Sequence, residues 1–195
     1  MSEEKIGLMG GSFDPVHLGH LIAAQDAMEA VGLDRVLFIP AARSPLKDRS
    51  PVASDKDRLA LLERALEGES RFGLSTLEYD RGGISFTIDT VEELRRLLPE
   101  TRFYWIIGAD QAASLKDWHR VDDLVRQLEF IILARPGFVW DSGGMPEGTR
   151  FHAVQAHTFS VSSSEVRERI REGRSVRFLL PEGVATLIKN LHLYR

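Results

Sequence analysis

The sequence predicts an α/β protein, an open, mostly parallel, twisted sheet of five to six strands with helices on both faces. Short apolar runs alternate with amphipathic stretches from one end of the chain to the other, the pattern of strand, helix, strand, helix. The apolar runs are continuous rather than alternating, as expected of strands buried on both faces. With 195 residues, 43% of them hydrophobic and 28% charged, the chain can bury a sizeable core. We therefore expect a Rossmann-like single domain over 1–195, with 160–195 as a small C-terminal helical subregion.

Taken in order, the first strand is expected at 5–9, where KIGLM runs into two glycines, and a helix over 18–31 follows. A second strand is expected at 36–39, then a helix over 55–66 whose start is marked by Ser54 with Asp57 three residues on, a capping-box arrangement. Strand 72–77 precedes helix 88–98, which Pro99 stops; strand 103–107 comes next, and a helix over 121–127 leads to strand 130–134. A last strand is read at 151–154. Ser162 with Glu165 repeats the capping pattern before helix 165–172, which ends at Gly173, and helix 182–191 closes the series. Residues 41–51 and 136–148, rich in Pro, Arg or Gly, read as loops. No internal repeat, low-complexity tract or composition break divides the chain.

Composition narrows function. A formal net charge of −4 disfavours a protein that binds nucleic acid by neutralising its backbone, so any anion site is local. Zero cysteines remove disulfides, thiolate metal sites and a cysteine nucleophile. The opening MSEEKIGLMGG is acidic where a signal peptide is basic, and its apolar run breaks at Gly10, so no export signal or membrane anchor is read and cytoplasmic residence is expected. No coiled-coil heptad is visible, and the sequence is compatible with a homo-oligomer.

In parallel sheets ligands bind beyond the carboxyl ends of the strands, and there the chain is unusual. After the first strand comes Gly10-Gly11-Ser12-Phe13-Asp14-Pro15-Val16-His17-Leu18-Gly19-His20. After the second comes a loop with Arg43, Lys47 and Arg49; after the fourth, Gly108-Ala109-Asp110; after the fifth, Arg135-Pro136. Glycines at a sharp turn let backbone N–H groups approach an anion, and a phosphate is the expected guest. Neither a Walker A loop nor G-x-G-x-x-G is present, which weakens kinase and dehydrogenase readings. His17 and His20, three apart at the opening of a helix, share a face and suit phosphate oxygens. By spacing alone they read equally as surface residues or a metal pair.

The run HLGH behind GGSFDP resembles the signature of the nucleotidyltransferase superfamily with the (T/H)xGH motif. Ser85-Phe86-Thr87-Ile88-Asp89-Thr90, Gly108-Ala109-Asp110, Trp118, Ser162-Ser163-Ser164-Glu165-Val166-Arg167 and the closing Gly173-Arg174-Ser175-Val176-Arg177-Phe178-Leu179-Leu180-Pro181 with Leu193-Tyr194 together resemble bacterial nicotinate-nucleotide adenylyltransferase. This resemblance spans nearly the whole chain. It implies transfer of AMP from ATP to nicotinate mononucleotide, giving deamido-NAD and pyrophosphate, with Mg2+ accompanying ATP and held mainly by substrate phosphates and water rather than by a protein metal site. His17, His20 and Lys47 are the implied catalytic residues. ATP would meet Gly10, Gly11, Ser12, Phe13, His17, Gly19, His20, Ser162, Ser163 and Arg167. The pyridine nucleotide would meet Ser12, Lys47, Thr87, Gly108, Asp110, Trp118 and Arg135.

One departure is visible. Many members carry a histidine before the basic residue of the loop after the second strand, whereas this chain has Leu46 before Lys47, which leaves Lys47, with Arg43, as the loop's cation.

Plainer readings stand beside these. Ser162 and Ser163 equally cap a helix; Trp118 is by type an ordinary half-buried aromatic, though its polar neighbours suit a ring stacked on a pyridine; Asp110 and Thr87 are each plausible helix caps. The same reaction on nicotinamide mononucleotide or on an acceptor such as phosphopantetheine is the alternative enzyme, and a non-catalytic nucleotide-binding regulator the alternative of another class.

Overall fold

A computed structural model describes residues 3–43, 50–134, 144–157 and 159–195. Six strands form one sheet, β1 (Glu4–Gly11), β2 (Arg35–Pro40), β3 (Phe72–Leu74), β4 (Thr101–Gly108), β5 (Glu129–Ala134) and β6 (Phe151–Gln155). They run in the order β3-β2-β1-β4-β5-β6, and each neighbouring pair is parallel, so the sheet is parallel throughout. The helices are α1 (Leu18–Val31), α2 (Asp55–Leu66), α3 (Leu77–Arg81), α4 (Thr87–Leu97), α5 (Ala109–Ala113), α6 (Val121–Gln127), α7 (Ser163–Arg171) and α8 (Glu182–Asn190), with a 3-10 turn at Leu115–Asp117.

Alternation along the strands builds two cores. Val36, Phe38, Tyr104, Ile106 and Ile131 face α1, α2, α7 and α8. Their chain neighbours Leu37, Ile39, Phe103, Trp105, Ile107, Phe130 and Ile132 face α4, α5 and α6. Successive strand side chains point to opposite faces, so one apolar run feeds both layers. Gly7 fits the first layer because a Cβ there would lie 2.7 Å from Leu33 and 3.0 Å from Ile106.

Both marked helix starts are present. Ser54 Oγ accepts from the Asp57 N–H at 3.1 Å, and Ser162 Oγ from the Glu165 N–H at 3.1 Å. Three expectations are corrected. The third strand stops at Leu74 rather than reaching residue 77: Ser75 N–H still donates to Phe38 O at 2.9 Å, but Thr76 already caps α3, its carbonyl accepting from Asp80 N–H at 2.9 Å. Thr87 is the first residue of α4, and Phe86 holds its cap position. Asp110 lies in the first turn of α5, where Gly108 holds the cap. Helices α3 and α5, five residues each, were not read in the sequence.

Candidate active site

Strand order reverses between β1 and β4, and the crevice beyond their carboxyl ends is where an open parallel sheet binds ligands. Gly10 and Gly11 are the last two residues of β1. They do not make the turn: the residue with positive φ is Phe13, at 45°, followed by a cis Asp14–Pro15 peptide. The glycines are needed because neighbouring rings sit on them. A Cβ at Gly10 would lie 2.8 Å from Trp105, and one at Gly11 3.0 Å from Phe13.

Buried charge holds the loop in this shape. Arg58 of α2 is fully buried, and its Nη1 donates to Ser12 O at 2.7 Å and Ala41 O at 2.9 Å, joining the loops that follow β1 and β2. Its Nη2 donates to Asp55 Oδ1 at 2.7 Å. Asp14, also buried, accepts from the N–H groups of Val52 (2.7 Å) and Ala53 (3.1 Å) and from Tyr194 OH (2.9 Å). Burial, helped by the Asp14 carboxylate and this bond to it, drives the Tyr194 phenol well above its usual range. From α7, Ser163 Oγ donates to Pro15 O at 2.9 Å and Arg167 Nη1 to Asp14 O at 2.6 Å. The C-terminal helices thus grip the loop that the first strand delivers.

His17 caps α1 and His20 lies one turn in, their rings stacked with centroids 3.7 Å apart. The His17 N–H donates to His20 Nδ1 at 3.2 Å, which puts the proton of neutral His20 on Nε2. Phe13 meets His20 edge-on at 5.0 Å. His17 is 6% exposed, its Nδ1 has no hydrogen-bond partner among the described residues, and burial lowers its pKa to about 4, so it is neutral near pH 7. Gly19 matters for this pair in a way spacing does not reveal. A Cβ there would sit 3.1 Å from His17 Nδ1 and 3.0 Å from Val161, so the missing side chain makes room for the imidazole.

Two clefts open side by side on this edge. One, of about 630 Å³, includes Gly10, Gly11, Thr87, Phe86, Trp118 and His119 in its walls. The other, of about 950 Å³, includes His17, His20, Ser162, Ser163, Arg167 and Arg171. Ser12 and Asp110 belong to both walls and mark the place where the clefts meet. The first side carries an aromatic cluster: Phe86 and His119 pack with centroids 4.2 Å apart near half-buried Trp118. Hydroxyls, imidazoles and guanidinium groups lie on the second.

The sequence-predicted residues therefore divide as follows. Ser12, Asp110, His17, His20, Ser162, Ser163 and Arg167 line the second cleft, while Gly10, Gly11, Thr87 and Trp118, again with Ser12 and Asp110, line the first. Phe13 is 2% exposed, so any nucleotide contact it makes belongs to its main chain. Gly108 lies beneath Asp110: a Cβ there would collide with Asp110 Oδ1. Lys47 and Arg135, and the Leu46 departure, lie outside the described residues. Among the described residues no group of three or more His, Asp or Glu side chains converges as a metal cage.

Residues 8–169 match the cytidylyltransferase-like family. A protein named "Probable nicotinate-nucleotide adenylyltransferase" from Opitutus terrae is 44% identical over 191 residues, covering 98% of both chains. One of the same name from Exiguobacterium sibiricum is 45% identical over 190 residues, covering 97% of this chain and 98% of its own. The chain belongs to the nicotinate-nucleotide adenylyltransferase family. Its fold is also that of the Plasmodium falciparum nicotinic acid mononucleotide adenylyltransferase solved with NaAD, with a TM-score of 0.81 at 20% identity over 98% of this chain and 97% of that one.

Within this nicotinate-nucleotide adenylyltransferase fold, sequence reasoning missed Arg58, Glu78, Arg171 and the Asp14–Tyr194 pair. A charged residue inside an amphipathic helix reads as part of the solvated face, and nothing local distinguishes Arg58 from Arg64. For Arg171 a signal existed, since it stands four residues after Arg167 and so on the same face of α7.

Proposed function

We propose that this protein transfers the AMP part of ATP to the phosphate of nicotinate mononucleotide, releasing pyrophosphate and forming deamido-NAD. The observation that carries the reading is the pair of clefts meeting at Ser12 and Asp110, one with aromatic walls suited to a pyridine, the other with imidazoles and guanidinium groups suited to a triphosphate. Two substrates laid end to end in them would bring the mononucleotide phosphate to the α-phosphate of ATP.

The attacking oxygen belongs to the mononucleotide phosphate, largely dianionic near pH 7 because its second pKa is about 6. No side-chain base is needed. An oxygen–phosphorus bond forms at the α-phosphorus as the bond to pyrophosphate breaks, and the protein's task is in-line placement and cancellation of the charge that develops. We assign His17 to the α-phosphate region and His20 to the triphosphate, with Lys47 and Arg167 as the cations beside them. Ser162 and Ser163, with the first turn of α7, supply hydroxyl and N–H donors to the same anion. ATP enters as its magnesium complex, the ion carried by phosphate oxygens and water. On the other side, Trp118 stacks on the pyridine, Asp110 accepts from ribose, and the N–H of Thr87 meets the pyridine carboxylate. Consumption of ATP and the overall negative charge support cytoplasmic residence and small-molecule partners rather than nucleic acid.

The test is incubation with ATP, magnesium and nicotinate mononucleotide, with nicotinamide mononucleotide in parallel. Deamido-NAD and pyrophosphate in equal amounts are expected, at a higher kcat/KM than for the amide. Nucleotide binding without pyrophosphate release would overturn the reading.

A further inference from the structure

The geometry points to Glu78 as a positioning residue for the pyridine mononucleotide, acting through Ser85 on the turn that leads into Thr87; the inference rests on the function proposed above. Glu78 belongs to α3, is 4% exposed, and yet contributes to the wall of the aromatic cleft. A buried carboxylate is costly unless hydrogen bonds replace its water. Two hydroxyls lie against it here. Thr90 Oγ1 donates to Glu78 Oε1 at 2.8 Å while accepting from Arg81 Nη2 at 2.9 Å. Ser85, which lines the same cleft wall as Glu78, is the second polar group against the carboxylate.

Ser85 is the link that gives the pair its function. Its Oγ accepts from the Ala42 N–H at 3.0 Å, so the hydroxyl hydrogen is directed to Glu78, and its own N–H donates to Arg43 O at 2.9 Å. The residue is thereby fixed from two sides, by the loop after β2 and by the carboxylate. One residue later Phe86 presents its ring against His119, and one later still Thr87 opens α4 with an N–H that has no acceptor inside the helix. Both the ring and the N–H belong to the wall assigned to the pyridine. Neither Glu78, Ser85, Phe86 nor Thr87 lines the cleft assigned to ATP. The carboxylate therefore sets the place of one substrate and not of the other.

This predicts a split between the two Michaelis constants. Glu78→Ala is expected to raise KM for nicotinate mononucleotide by about tenfold or more while KM for ATP stays within about twofold. Glu78→Gln keeps one acceptor oxygen and is expected to restore KM to within about threefold of the parent. Should Glu78→Ala fold poorly, Ser85→Ala cuts the same link with the carboxylate in place, and its KM is expected to rise in the same direction, by about three- to tenfold. Equal movement of both Michaelis constants, or movement of neither, would overturn the inference while leaving the enzyme's activity established. A parent protein that turned over no pyridine mononucleotide would instead remove the functional reading, and this inference with it.

Discussion

His17 and His20 differ more than their symmetry in the motif suggests. His20 is tied through Nδ1 to the main chain of His17 and lines the cleft we assign to the triphosphate, so its removal deletes a donor without opening the core. His20→Ala is expected to lower kcat by about a hundredfold or more, the usual cost of a lost transition-state donor, while the melting temperature falls by only about 2 °C. Steady-state kinetics beside calorimetry checks this. His17 carries the opposite signature. Its folded pKa of about 4 lies below the ordinary 6.5, so the unfolded chain binds the proton first as pH falls. The contribution is complete above pH 6.5 and is lost between there and about 4, up to about 3 kcal/mol. Urea titrations across that window should show stability falling with pH, with a shallower slope in His17→Asn. Excess pyrophosphate, by placing negative charge beside the ring, should raise the folded pKa toward 6.5, so that the fall becomes smaller and ends at a higher pH.

Among elements, α2 and α7 act as the loop's fasteners. Arg58→Met leaves the carbonyls of Ser12 and Ala41 without their buried donor, at about 1–3 kcal/mol for each. A lower urea midpoint with raised KM for both substrates is expected, because the loop after β1 serves both clefts. Ser162→Ala removes the cap of α7 and is expected to cost about 1 kcal/mol and to raise KM for ATP alone. The long buried strands could be read from sequence because apolar runs such as FYWII and FIILA have no other home in a chain of this composition. Helices α3 and α5 could not, since five residues hold fewer than two turns and show no period. The same limit hid Glu78, which appeared to follow a strand and instead sits on one of those short helices. Residues of the HxGH motif were legible because their function is encoded within a few neighbours. Arg58 and Tyr194 were not, because their partners lie at Ser12, Ala41 and Asp14, far away along the chain.

For the molecule as a whole, the contact of Tyr194 with Asp14 brings residues 180 apart in sequence together in the wall of the second cleft. The hydroxyl completes a carboxylate that also holds Val52 and Ala53, so three distant stretches meet on one side chain. Tyr194→Phe is expected to destabilise the fold by about 1–2 kcal/mol, the cost of leaving a buried charged acceptor short of one donor. It should also raise KM for ATP, measured with nicotinate mononucleotide saturating.

The shared wall of Ser12 and Asp110 has a consequence for ligand design. A compound with a flat heteroaromatic head for one hollow and a polyanionic head for its neighbour needs a tether no longer than the partition between them. Once the first head is seated, the second is confined to a small volume around its own seat, and the two modest affinities multiply instead of merely adding. Shortening or lengthening that tether by a single bond should then change potency far more than altering either head.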